Sequence, residues 1–132
     1  MAEVVVAIRW RDIDNYGHVN NAVYLNYLEE CRDRLVEELF GTGEAWDFVL
    51  AHVAIDFRSE LTQADGEVLV RCEVAGFGRS SVRTREQIEK RDGTVSAEAQ
   101  SVIVPRVAEA TSRPLTERER EILRQATVAS TA

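Results

Sequence analysis

Between residues 21 and 40, the apolar side chains Tyr24, Tyr27, Leu28, Cys31, Leu35 and Leu39 recur in the i, i+3, i+4, i+7 rhythm of an α-helix with one buried side. Val36 and Phe40 widen that stripe, so the helix is expected to be covered over much of its surface. Asn20 stands where an N-cap would accept from free first-turn amides, and Gly41 and Gly43 supply a stop. Before the helix, residues 3–9 are apolar and β-branched, as a strand requires. After it, four segments read as strands. Val49, Ala51, Val53, Ile55 and Phe57 alternate onto one side, and Val68, Val70, Cys72 and Val74 do the same. Residues 80–90 are polar but of strand length, and residues 95–104 are β-branched up to Pro105, which is expected to stop the strand. Asp65-Gly66 and Asp92-Gly93 mark turns between them.

One strand, one long helix and then four strands joined by short turns imply an α+β fold. The expected architecture is one helix against an antiparallel sheet of about five strands. The length of 132 residues fits a single domain. Residues 1–106 are assigned to its body. Residues 107–132 are assigned to a surface helix or tail of the same domain, because residues 115–125 are charged with only a thin stripe of Leu115, Ile122 and Leu123.

Composition narrows the function classes. A net charge of −7 argues against general nucleic-acid binding, which needs a basic face, although a local arginine cluster could still hold a polyphosphate. No apolar run reaches the roughly 18 residues that span a membrane, and the first residues lack the basic segment of a signal peptide. Cys31 and Cys72 form no CxxC pair, and His18 and His52 are the only histidines, so neither a disulfide framework nor a zinc site has support. A cytoplasmic chain without a metal or cofactor is the expectation.

Chemistry concentrates in the loop ahead of the helix, where Asp12, Asp14, Asn15, His18, Asn20 and Asn21 crowd together. First-turn amides lack internal acceptors, and the helix dipole adds about half a positive charge there. Such donors suit an oxygen that becomes anionic during reaction. An aspartate beside them can act as nucleophile or as general base for water. Taken singly, these residues have plainer readings. Asp14 could close an Asx-turn, Asp12 could pair with Arg9 or Arg11, and His18 could simply order the loop. Glu29 and Arg32 could form an i, i+3 surface pair worth about 0.2–0.5 kcal/mol. Tyr24 and Tyr27 could be core aromatics, and His52 an ordinary strand residue opposite Val49, Ala51 and Val53.

Arg11-Asp12-Ile13-Asp14, Gly17-His18-Val19-Asn20-Asn21, Tyr24 and Glu29-Glu30-Cys31-Arg32 together resemble the active-site signature of the 4-hydroxybenzoyl-CoA thioesterase-like hotdog family. The similarity is greatest to acyl-CoA thioesterases and plant acyl-carrier-protein thioesterases, and it covers about residues 3–106. The resemblance implies a hotdog fold, a long helix wrapped by the sheet, in a homodimer or tetramer with sites at subunit interfaces. It implies hydrolysis of an acyl-CoA or acyl-carrier-protein thioester, with Asp14 as the catalytic acid and the Asn21 amide facing the carbonyl oxygen. It makes Gly17 the glycine that lets the loop approach substrate, and it matches His18 to a histidine of the plant-like branch. Tyr24 and Glu29 become substrate-side residues. Arg79, with Ser80 and Ser81, matches the position where the family binds coenzyme A phosphates. Two other readings stand beside this one. A non-catalytic thioester-binding module would be expected to carry an added DNA-binding segment, and none precedes residue 3. A hotdog hydratase or dehydratase would want a histidine inside the helix, and residues 21–40 contain none.

Overall fold

The computed structural model describes residues 1–41, 48–107 and 111–131, so the expected stop at Gly43 lies outside the described residues. The elements are β1 (Ala2–Ala7), α1 (Asn21–Phe40), β2 (Phe48–Phe57), β3 (Glu67–Phe77), β4 (Val82–Lys90), β5 (Val95–Val107), β6 (Thr111–Ser112) and α2 (Glu117–Thr131). All pairings are antiparallel, in the order β1-β3-β4-β5-β2, with the two-residue β6 added alongside β5.

The helix occupies the residues its periodicity marks. Asn20 caps it by accepting from the Ala22 amide at 2.9 Å, and the Gly41 amide donates to the Glu37 carbonyl at 2.8 Å. Tyr24, Tyr27, Leu28, Cys31, Leu35 and Val36 are buried. They face β1 and β3, whose inward residues Ala2, Val6, Val68, Val70, Cys72 and Val74 are buried with them. The α2 helix packs on β3 and α1, with Leu123 fully buried. A long helix held in an antiparallel sheet is the hotdog fold.

Three local expectations give way to longer-range pairing. The alternation along β2 is broken by a bulge between Leu50 and His52. Val53, Ile55 and Phe57 therefore pair with the inward Ser101, Ala99 and Ala97, whereas Val49 pairs with Val104 and shares the outer face with His52. Pro105 does not stop β5, which runs on to Val107. Here β4 has already ended, its first residue Val82 lying opposite Ile103, and the Pro105 carbonyl accepts instead from the Arg113 amide at 3.1 Å. The missing proline N–H faces that same flank, so no ladder bond is lost. Finally, Arg32 does not pair with Glu29 on the surface. It is buried, with Nη1 3.4 Å from both Glu86 Oε2 and Ser101 Oγ, and Glu86 also accepts from Thr84 Oγ1 at 2.6 Å and Ser101 Oγ at 2.9 Å. No helix among the described residues is long and apolar enough to cross a membrane.

Candidate active site

The loop between β1 and α1 is shaped by two aspartates with different tasks. Asp12 is buried. It accepts from the Arg9 amide at 2.9 Å and the Tyr27 hydroxyl at 2.8 Å, and its carboxylate lies 3.2 Å from the Arg9 guanidinium. Burial alone would raise its pKa, but the Arg9 amide, the Tyr27 hydroxyl and the Arg9 guanidinium together hold it below the ordinary carboxylate value. Burial first, and then the bond to Asp12, push the Tyr27 hydroxyl upward. Asp12 thus ties the loop to the helix.

Its folded pKa is lowered, so Asp12 contributes stability above the unfolded carboxylate value, and that stability is lost as pH falls through the folded one. Asp12→Asn is expected to cost about 2 kcal/mol at pH 7 and to flatten the loss of stability below about pH 4, as read from urea unfolding across that range.

Asp14 uses only half of its carboxylate in this way. Oδ1 accepts from the Tyr16 amide at 2.8 Å and the His18 amide at 3.4 Å, which is the Asx-turn geometry. Gly17 takes φ +82° at the tip, a conformation that a side chain would strain, although a Cβ there would touch nothing within 4 Å. The loop closes through the Asp14 amide to the His18 carbonyl at 2.8 Å and the Ile13–Val19 bridge. Asp14 Oδ2 has no hydrogen-bond partner among the described residues. The Asn21 amide, in the first turn of α1, likewise donates to no acceptor among them.

Both residues border one cavity of about 220 Å³, lined by Asp14, His18, Val19, Asn21, Tyr24, Phe57, Arg58, Ser59 and Glu60. The rings of Tyr24 and Phe57 meet edge to face there, with centroids 5.0 Å apart. His18 Nε2 lies 2.6 Å from Glu60 Oε2. Glu60 is held by its neighbours: the Ser59 carbonyl accepts from the buried Ser96 hydroxyl at 2.6 Å, and the Leu61 carbonyl accepts from the Val19 amide at 2.8 Å.

Four sequence candidates, Asp14, His18, Asn21 and Tyr24, therefore line one cavity. The others stand apart from it within the chain. Gly17 shapes the loop but does not line the cavity. Glu29 is exposed on α1 and acts on Asp33, whose carboxyl is pushed up by burial first and by Glu29 next. Arg79, Ser80 and Ser81 occupy the β3–β4 hairpin, where the Ser81 carbonyl accepts from Gly78 and that of Arg79 from Leu115. That hairpin is at the far end of the 11-residue β3 from Gly66, which bonds the start of the site loop. At about 3.3 Å per residue the two ends are roughly 30 Å apart. Glu60, Phe57 and Arg58 complete the cavity without any local sequence signal, because tertiary contacts such as the Val19–Leu61 bond and the His18–Glu60 pair bring the end of β2 to the loop.

Known proteins share this fold. The thioesterase-like superfamily profile matches residues 8–124, and the chain belongs to that superfamily. Its structure is similar to that of a thioesterase from Thermus thermophilus complexed with coenzyme A and zinc, with 33% identity over 96% of this chain and 95% of that one and a TM-score of 0.80. Protein TT1821 from Thermus thermophilus (23% identity, 96% and 99% covered, TM-score 0.83) shares the fold. So does a thioesterase superfamily protein from Jannaschia sp. CCS1 (20% identity, 96% and 82% covered, TM-score 0.82). No curated protein matches the sequence.

Proposed function

We propose that the protein hydrolyses an acyl thioester of coenzyme A or an acyl carrier protein to a free acid and a thiol, with Asp14 as nucleophile or as general base for water. The observation that carries this reading is that Asp14 and Asn21, whose Oδ2 and backbone amide have no partner among the described residues, line one cavity together with Tyr24 and Phe57. With the thioester carbonyl beside Asn21, the amide stabilises the oxygen as it becomes anionic. Asp14 Oδ2 attacks the carbonyl carbon or takes a proton from the attacking water. Glu60 fixes the imidazole of His18 through Nε2, which leaves Nδ1 free for substrate. The coenzyme A bound to the 33%-identical relative supports the choice of thiol.

The reading extends to a homodimer. On the inner face of β2, Leu50 is 43% and Phe57 47% exposed, and among the described residues the strand is a sheet edge paired only with β5. Pairing this edge with a second copy about a two-fold axis would cover those side chains. It would also carry the partner's β3–β4 hairpin to the end of the sheet that holds Asp14. Arg79, Ser80 and Ser81 would then serve the neighbouring site, where a coenzyme A phosphate needs them.

Thiol release measured on a panel of acyl-CoA and acyl-carrier thioesters tests the activity, and failure with every donor would sink it. For the dimer, Leu50→Arg is expected to yield monomers in sedimentation and to lose hydrolysis with them. A Leu50→Arg protein that stays dimeric would refute the β2 interface.

A further inference from the structure

The face of the sheet turned away from α1 is densely charged, and its arginines are matched to acids. Arg58 meets Glu98 at 3.0 Å, Arg71 meets Glu89 at 2.9 Å and Glu3 at 3.2 Å, and Arg85 meets Glu73 at 3.1 Å. Arg83 is different. It projects from β4 on this same face, and among the described residues it has neither a hydrogen-bond nor an ion-pair partner.

Its position is nonetheless defined. The pairings His52–Val102, Val102–Arg83 and Arg83–Gly76 form one row across β2, β5, β4 and β3. Both outer strands of that row are bulged beside it, β2 between Leu50 and His52 and β3 between Val74 and Gly76. The Arg83 guanidinium lies over Gly76, where a Cβ would stand 2.2 Å from Nη2. The missing side chain at Gly76 thus makes the bed for the arginine, a close approach only glycine permits.

A cavity of about 220 Å³ opens beside it, lined by His52, Arg83, Arg85 and Gln100 above Ala75 and Val102. Among the described residues no carboxylate borders this cavity, although the chain carries 23 acidic residues against 16 basic ones. A free guanidinium, a second one shared with Glu73, an imidazole and a side-chain amide are the donors a tetrahedral oxyanion requires. Guanidinium groups in particular match phosphate oxygens with parallel hydrogen bonds.

We propose that Arg83, His52 and Gln100 form a phosphate-binding site on the outer face of the sheet, for inorganic phosphate or the terminal phosphate of a phosphomonoester. The site stands independently of the thioesterase reading, since it shares no residue with the Asp14 cavity. Pairing through the β2 edge leaves this face open.

Side-chain ¹⁵N NMR reads the site directly. Titration with inorganic phosphate is expected to shift the Arg83 Nε–H and His52 ring signals saturably, and Arg83→Gln to weaken binding about tenfold or more. Gly76→Ala keeps the arginine but evicts its guanidinium from the bulge, and is expected to weaken binding as well. Coenzyme A and 3′-dephospho-coenzyme A separate the sources. A tighter fit for coenzyme A that vanishes in Arg83→Gln assigns the site to a 3′-phosphate, whereas equal behaviour of the two with binding of inorganic phosphate assigns it to free phosphate. Either result supports the site. Signals that fail to saturate at tens of millimolar phosphate, or phosphate affinity unchanged in Arg83→Gln, would overturn it.

Discussion

Asp14→Asn is expected to slow thioester hydrolysis by about 100- to 10,000-fold with little change in stability or in KM. The two oxygens of Asp14 have separate roles, which makes this substitution informative. Oδ1 holds the loop through the Tyr16 and His18 amides, and an asparagine carbonyl can accept those same bonds. Oδ2, unshared among the described residues, is replaced by an NH₂ group that can neither attack a carbonyl nor take a proton from water. Asp14→Ala removes both functions and should add a loss of about 1 kcal/mol from the unmade turn bonds. Comparing the two variants by thiol release and by thermal unfolding separates the shape of the loop from its chemistry. Asparagine activity within a few-fold of wild type would remove Asp14 from the reaction. A variant as unstable as the alanine one would mean that the charge, not the turn acceptor, orders the loop.

What local sequence can and cannot specify is visible in the same loop. Helix α1 is legible to the residue because its period, its Asn20 cap and its Gly41 stop are all local. The Asp-Gly turns and the inward set Val68, Val70, Cys72 and Val74 are legible for the same reason. The β2 bulge is not, because it is defined only against β5, and a single extra residue turns Val49 away from the side that Val53, Ile55 and Phe57 share. The behaviour of Pro105 depends on where β4 happens to begin. In the cavity, Asp14, His18, Asn21 and Tyr24 lie within 11 residues of one another and can be recognised together. Glu60 is invisible, since it reaches His18 only after the chain has run through α1 and along the edge strand β2. Arg79 and Asp14 look like companions in a list of residues, yet the length of β3 separates them. Only a second copy could unite them, which ties the proposed coenzyme A site to the proposed dimer.

Glu86→Leu is expected to be the most destabilising single change away from the cavity, by about 3–5 kcal/mol, because it leaves a buried guanidinium without its counter-charge. The carboxylate sits under α1 between β3 and β5 and takes three donors, from Thr84, Ser101 and Arg32. The arginine contact is the longest of the three at 3.4 Å, so the two hydroxyls do much of the work of keeping the charge dissolved in the core. Arg32→Met alone should therefore cost less than Glu86→Leu, because Glu86 retains Thr84 and Ser101, while Arg32 without Glu86 keeps only Ser101 at 3.4 Å. The Arg32→Met/Glu86→Leu double variant should recover most of the loss, since no buried charge remains and the new side chains are apolar and of similar bulk. Urea unfolding of the four proteins at pH 7 measures the coupling. Additive losses in the double variant would mean that the two residues stabilise the core separately. Recovery would mean that the pair contributes little net stability and chiefly fixes how α1 seats on the sheet. That seating carries the Asn21 amide at the helix start. A stable double variant with normal unfolding but slowed thiol release would therefore connect this distant pair to the placement of the proposed oxyanion donor.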